Sequence, residues 1–321
     1  MRYAYLLILP LLAAGVSATA SAQVPGAPAV QAQWFTGSLE APSPALPKAG
    51  MLVIEPYVIY QVNTGAYGSS GGHQSVPHDI SQMNSVTMFK FGITDRLSLE
   101  ALPSFAHVWN DQTSVTATGD LPVELEYRFN NENNETGFPS VTASVGMSFP
   151  IGDYEHLHAP LDGLGSGAYT LKEELLLQSL FDTPGQHPLR LRLYGGGFES
   201  VTNVPVHDMS VYGTEQGFVG HAAPGVAAVV GLGAGYGLDR RWVLAFDVVQ
   251  NFAGGTRIRG IDALGNSVNS TGAGTARTAL APAVEYNFSS HLGIIAGVEF
   301  SAAGRNTSSY IAPQIALAAS F

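Results

Sequence analysis

Residues 120–130 read DLPVELEYRFN, and they divide by parity without exception. Leu121, Val123, Leu125, Tyr127 and Phe129 fall on one face, while Asp120, Pro122, Glu124, Glu126 and Arg128 fall on the other. Alternation at period two is the side-chain repeat of a β-strand. The apolar face needs an apolar neighbour and the charged face a polar one, so this strand separates two media.

The same pattern continues in both directions. Upstream, KFGITDRLSLEALPSF (90–105) places a turn at Thr94, Asp95 and Arg96 before a strand with Leu97, Leu99, Ala101, Pro103 and Phe105 on one face. Ser98, Glu100, Leu102 and Ser104 form its other face. Pro103 cannot donate to a ladder, so a bulge is expected there. Downstream, VTASVGMSF (141–149) sets Val141, Ala143, Val145, Met147 and Phe149 against Thr142, Ser144, Gly146 and Ser148. RWVLAFDVV (241–249) sets Trp242, Leu244, Phe246 and Val248 against Arg241, Ala245 and Asp247. One hairpin design also recurs, in FGITDRLSLEAL, YGLDRRWVLAFD and YNFSSHLGIIAG.

Twelve such runs are legible, at 51–62, 81–93, 97–109, 120–130, 138–151, 168–182, 188–201, 222–238, 241–252, 276–288, 292–302 and 308–321. Most exceed the five or six residues of an ordinary soluble strand and reach the roughly 9–11 that cross a bilayer at a tilt. Their connections alternate between short (94–96, 130–137, 182–187, 239–240, 289–291) and long (63–80, 110–119, 152–167, 202–221, 253–275). The expected fold is therefore all-β: a transmembrane antiparallel up-and-down β-barrel of about 12 strands, with the short turns and both termini in the periplasm. Lipid offers no hydrogen-bond partner to an open sheet edge, so the sheet has to close. Residues 222–238 are uncharged and nearly long enough for a membrane helix, but they alternate at period two, and each interior glycine weakens a helix by about 1 kcal/mol. A soluble β-sandwich would tolerate charged outer faces and would not need Phe at its terminus.

The chain opens MRYAYLLILPLLAAGVSATASAQ, with Arg2, an apolar run from Leu6 to Val16 and an Ala-x-Ala site at 20–22. That is a secretory leader, with cleavage expected before Gln23. Residues 23–48, rich in Pro and Ala, have no periodicity and are expected to form a flexible periplasmic segment; 49–321 form the barrel. Cysteine is absent, which excludes disulfides, Cys-ligated metals and Cys nucleophiles. Only 12% of residues are charged and 37 are glycine, which suits an outer surface that is not in water. A net charge of −11 with no basic run excludes nucleic acid as a partner.

Three pieces together, FGITDRLSLEALPSF, GDLPVELEYRFN and TASVGMSFPIGD, resemble the outer-membrane family named after the meta-pathway of phenol degradation, broadly akin to the fatty-acid and toluene channel proteins. The resemblance runs over most of the mature chain. It implies an outer-membrane barrel that passes small hydrophobic or aromatic molecules. The N-terminal segment carries no recognisable plug motif, so the fatty-acid-channel mechanism is not carried over.

The inward parity supplies the candidate lumen residues: Glu100, Glu124, Glu126, Arg128, Lys172, Glu174, Arg190, Arg192, Asp247, Glu285 and Glu299. Lined with both signs, a lumen would orient a polar or amphipathic solute. The alternative is that these charges pair and fill a narrow structural barrel; frequent inward Gly and Ala favour a channel. The last strand, YIAPQIALAASF (310–321), resembles the signal read by the barrel-assembly machinery, with Tyr310 and Phe321 as its candidates. Expected partners are thus outer-membrane lipid, that machinery and a small-molecule solute.

An enzyme such as an outer-membrane lipid hydrolase is the other class, but no compact Ser/His element is found and no catalytic residue is assigned. His156 and His158 lie beside Asp153 and Glu155 in a loop and could bind a metal, though a solvated loop is the simpler reading. The glycine clusters at 163–167 and 195–197 fail the phosphate-loop pattern, and no cofactor is expected.

Overall fold

Strands with one apolar and one polar face can satisfy both faces and every backbone group by closing into a ring, and this chain does so. The computed structural model describes residues 33–321 apart from 76–79, 111–112, 135, 160, 184 and 186; the leader, its cleavage position and residues 23–32 of the expected N-terminal segment lie outside the described residues. Twelve antiparallel staves form one closed barrel, with no helix among the described residues. In chain order they are β1 (Leu52–Tyr67), β2 (Ser81–Thr94), β3 (Leu97–Ala101 and Ser104–Trp109), β4 (Ser114–Thr118 and Leu121–Asn130), β5 (Ser140–Phe149) and β6 (Thr170–Asp182). The ring continues with β7 (Pro188–Ser200), β8 (Ala227–Gly237), β9 (Trp242–Ala253), β10 (Thr275–Asn287), β11 (Leu292–Arg305) and β12 (Thr307–Ser320). Every stave pairs with its chain neighbours, and β1 closes the ring by pairing both β2 (Val53↔Lys90) and β12 (Val53↔Ser320).

The barrel is inside out relative to a soluble protein. Leu125, Val145, Leu175, Leu193, Leu232, Leu244 and Ile315 are all at least 44% exposed on its outer wall. Lys90, Glu100, Glu124, Glu126, Asp247 and Glu285, at 2% or less, are buried inside. Near the short-turn end the outer surface carries Phe91, Phe129, Trp242 and Phe288, with Trp242 and Phe288 both packed on Tyr286. An apolar wall edged by aromatic side chains is the exterior that a bilayer requires.

The proline expected to make a bulge interrupts β3 altogether: Leu102 and Pro103 fall between its two pieces, and Leu102 turns inward against Val53 and Met88. The neighbouring stave β4 breaks at Gly119 and Asp120. Two of the long loops also carry order that alternation did not reveal. Val204–His207, Val219–Ala223, Arg257–Ile261 and Ser267–Thr271 pair into a four-stranded sheet above the rim, over a core that includes Val204, Val206, Tyr212, Phe218 and Ala222. Of the run expected at 222–238, only Ala227–Gly237 is barrel strand, with Gly231, Gly233 and Gly235 facing in, while 222–223 belong to the sheet above the rim.

Candidate functional site

The N-terminal segment corrects the sequence expectation most. Residues 33–48 are not a flexible periplasmic lead; they run inside the barrel, with Leu39, Ala41 and Ser43 wholly buried. The segment enters at the short-turn rim, where the Trp34 N–H donates to the Arg240 carbonyl (3.1 Å) and the Arg240 guanidinium lies over the Trp34 ring. It climbs to Glu40, whose N–H donates to Asp247 Oδ2 (3.0 Å) and whose side chain accepts from Gln314 (2.8 Å). It then returns past Thr142, which donates to the Pro44 carbonyl (2.6 Å), and leaves where the Ala49 N–H reaches Asp95 (3.1 Å). Pro42, Pro44 and Pro47 suit such a path, because each removes a backbone donor that the lumen would otherwise have to satisfy.

The barrel is shaped to receive this segment. A Cβ on Gly293 would overlap Thr36, on Gly237 Gln33, on Gly297 Leu39, on Gly233 Ala41 (2.6 Å) and on Gly92 the Lys48 carbonyl. Inward glycines that suggested an open pore therefore form the bed of a plug. At mid-height Leu39 packs with Tyr57, Ala245, Ala281, Ile295 and Ala316, which closes the bore with apolar atoms.

Two groups of charges surround the plug. On β2 to β6, Lys90 bridges Glu100 and Glu126 (both 2.8 Å), and Lys172 bridges Glu124 (2.6 Å) and Glu174 (3.1 Å). Ser98 donates to Glu126 and Ser144 to Glu124, so these carboxylates have further donors besides the ammonium groups. On β7 and β10, Arg190 pairs with Glu285 (2.7 Å) and donates to the Gly37 carbonyl, while Arg192 donates to the Ala41 carbonyl and to Gln178. Glu285 also accepts from the Thr36 N–H (2.9 Å). The first group is internal to the wall; the second grips the plug.

Of the candidate lumen residues, Glu100, Glu124, Glu126, Lys172, Glu174, Arg190, Arg192, Asp247 and Glu285 are buried inside, and Arg190, Arg192, Asp247 and Glu285 touch the plug. Glu299 is partly buried and accepts from the Tyr310 hydroxyl (2.8 Å). Arg128 sits at the short-turn rim, donating to the Asp95 carbonyl (2.6 Å). Tyr310 faces the interior at 4% exposure, whereas Phe321 stands outside at 73%. Lys90 and Glu55, both wholly buried, belong with this set. Parity could have found Lys90, since its neighbours Phe89 and Phe91 face out.

Above the plug, toward the long loops, lies a cavity of about 230 Å³. Its floor is the Glu124–Lys172 pair, its walls include Met147 and Phe198, and its roof is Leu164 and Tyr212. The Tyr212 hydroxyl donates to the Ser166 carbonyl, tying the two roofing loops together. At the opposite rim, Asp239 accepts from the N–H groups of Arg241 (2.7 Å) and Trp242 (2.9 Å), which hold its carboxyl below the usual range and fix the turn that carries Arg240.

No family model matches the chain, and no curated protein matches it. Among solved structures it is similar to the COG4313 outer membrane channel from Pseudomonas putida F1, at 17% identity and a TM-score of 0.64 over 86% of this chain and 97% of that one. The NanC porin aligns at 9% identity and a TM-score of 0.46 over 83% and 98% of the two chains. The TodX monoaromatic hydrocarbon channel in a mutant form aligns at 11% and 0.42 over 87% and 92%. The first of these likenesses establishes the fold as that of an outer-membrane β-barrel.

Proposed function

We propose that this chain is a gated outer-membrane channel for small hydrophobic or aromatic molecules, with the N-terminal segment as its gate. The observation that carries the reading is the plug itself. Residues 33–48 close the bore through hydrogen bonds and packing contacts, none of them covalent, below a cavity on the side of the long loops. In the layout of bacterial outer-membrane barrels the short turns face the periplasm, so the cavity is an extracellular vestibule and the plug a periplasmic stopper. Its mixed lining, Met147 and Phe198 above the Glu124–Lys172 pair, suits an apolar solute with one polar group. The plug's fit is incomplete. Tyr194 Oη and Gln314 Oε1, both buried beside it, lack a hydrogen-bond partner among the described residues, which lowers the cost of its release.

The outer wall, with Phe321 at its end, is the surface offered to lipid and to the barrel-assembly machinery. Ile311, Ile315, Leu317 and Phe321 present one exposed apolar face, and Tyr310, turned inward, is not part of it. Uptake of aromatic, fatty-acid and sugar panels into proteoliposomes tests the transport reading. Selective passage of aromatic or apolar solutes is expected. A barrel that passes none of them with residues 33–48 deleted is a filled structural barrel, and one that instead cleaves phospholipid is an enzyme.

A further inference from the structure

The loops 150–169 and 201–226 carry a cluster that neither the bore nor the vestibule uses. Sequence spacing grouped Glu155 and His156 with His158 and Asp153, but the fold brings Glu155 and His156 against His207 and Asp208, 52 positions further on. Backbone bonds hold the two loops side by side: His156 N–H to the His207 carbonyl (3.3 Å), Leu157 N–H to Met209 (3.0 Å) and Val211 N–H to Tyr154 (2.9 Å). Across this seam His207 Nδ1 meets Glu155 Oε2 (2.9 Å) and His156 Nδ1 meets Asp208 Oδ2 (2.7 Å). The two imidazoles lie nearly parallel at 7°, with centroids 5.7 Å apart. His156 and Asp208 hold φ of 55° and 58°, a left-handed conformation that non-glycine residues adopt rarely and often at functional positions.

One ligand atom each from Glu155, His156 and His207 lies within 4.8 Å of the others. Tetrahedral zinc with bonds of about 2.0–2.1 Å places its ligands roughly 3.4 Å apart, so side-chain rotation has to close the remaining gap. The side chains can move, since those of His156 and His207 are 62% and 45% exposed. Two imidazoles and a carboxylate select a zinc-like transition metal over calcium or magnesium, which prefer all-oxygen sites. A carboxylate on the second nitrogen of a ligating histidine fixes its ring and raises its basicity, the part Asp208 is placed to play.

We propose that Glu155, His156 and His207 bind a zinc-class cation, with Asp208 positioning His156, and that the metal staples the two loops that roof the vestibule. Leu164 on one loop and Tyr212 on the other line that roof, so the staple and the vestibule share the same segments. The inference rests on the loop geometry and stands whether or not the barrel conducts. Its test is calorimetric titration of Zn²⁺ into the full folded barrel in detergent, with Co²⁺ as a visible-absorption probe of tetrahedral coordination. One saturable site per chain is expected, lost in the His156→Ala/His207→Ala variant and weakened on the order of 10–100-fold by Asp208→Asn. Glu155→Gln, which keeps the side chain's size and its hydrogen-bond acceptor, is expected to weaken binding while preserving the loops, and heat-dependent gel mobility reports that each barrel is folded. Equal Zn²⁺ binding by intact protein and the folded double variant, or a Co²⁺ complex without tetrahedral absorption, overturns the proposal.

Discussion

The two ends of the bore are built from the same alternating strands and come out opposite. The short-turn half is filled: Leu39 sits among Tyr57, Ala245, Ala281, Ile295 and Ala316, and Arg190 and Arg192 spend donors on plug carbonyls. The long-loop half is hollow, with a cavity of about 230 Å³ between the Glu124–Lys172 floor and a roof of folded loops. In the filled half, Arg190, Arg192, Asp247 and Glu285 are bonded to a removable segment; at the floor of the hollow half, Glu124, Lys172 and Glu174 are bonded to one another across the wall. A buried charge that loses its partner is costly, so the grip on the plug is strong at a few points and the wall around the vestibule is self-sufficient.

Deleting residues 33–48 breaks this comparison most severely. The filled half becomes continuous with the vestibule, and bilayer conductance is expected to rise by an order of magnitude or more, because every roughly 1.4 kcal/mol removed from the plugged state multiplies the open fraction about tenfold. Next comes Arg190→Ala. It removes the donor to the Gly37 carbonyl and leaves Glu285 with the Thr36 N–H but without its counter-charge, at a cost of about 3–5 kcal/mol for a broken buried pair, shared between barrel stability and plug retention. A lower urea midpoint together with more frequent channel openings checks that split. Gly233→Val acts from the wall side. Its side chain collides with Ala41, and overpacking of about 1–3 kcal/mol should displace the plug and raise the open fraction about tenfold, with the heat-modifiable fold intact.

The smallest effect is a pH dependence at the plug's anchor. Asp239 is held below the usual carboxylate range, so its contribution to the turn is complete above the ordinary value of about 3.9 and is lost as pH falls through the lower folded value. Trp34, which rests under Arg240 on that turn, should show an acid transition in its fluorescence below about pH 4 when Trp109 and Trp242 are replaced by Phe. Asp239→Ala should abolish the transition.

What could be read from residues alone follows this division. The barrel was legible because DLPVELEYRFN and its counterparts state their two faces directly, and a bilayer enforces that separation over every stave. The plug was not legible: residues 33–48 have no period, and an irregular segment takes its conformation from the groups that receive it. Frequent inward Gly and Ala were visible, but smallness is equally the mark of an open pore and of a bed for a segment, which is what Gly92, Gly233, Gly237, Gly293 and Gly297 form. The pairing of His207 and Asp208 with Glu155 and His156 was not legible, because the contact is made by two loops whose register no local pattern sets.

The absence of cysteine allows a clean test of the plug as a gate. Thr36 Oγ1 and Asn287 Oδ1 lie 2.9 Å apart across the plug–barrel contact, so Thr36→Cys with Asn287→Cys puts one thiol on each side of it, to be joined directly or by a short bis-thiol cross-linker that a reductant cleaves. Single-channel conductance of this variant, linked and then reduced, is the decisive measurement. The account predicts that the linked form stays shut and that reduction restores openings; equal conductance in the two states, with the link verified by mass, would contradict it.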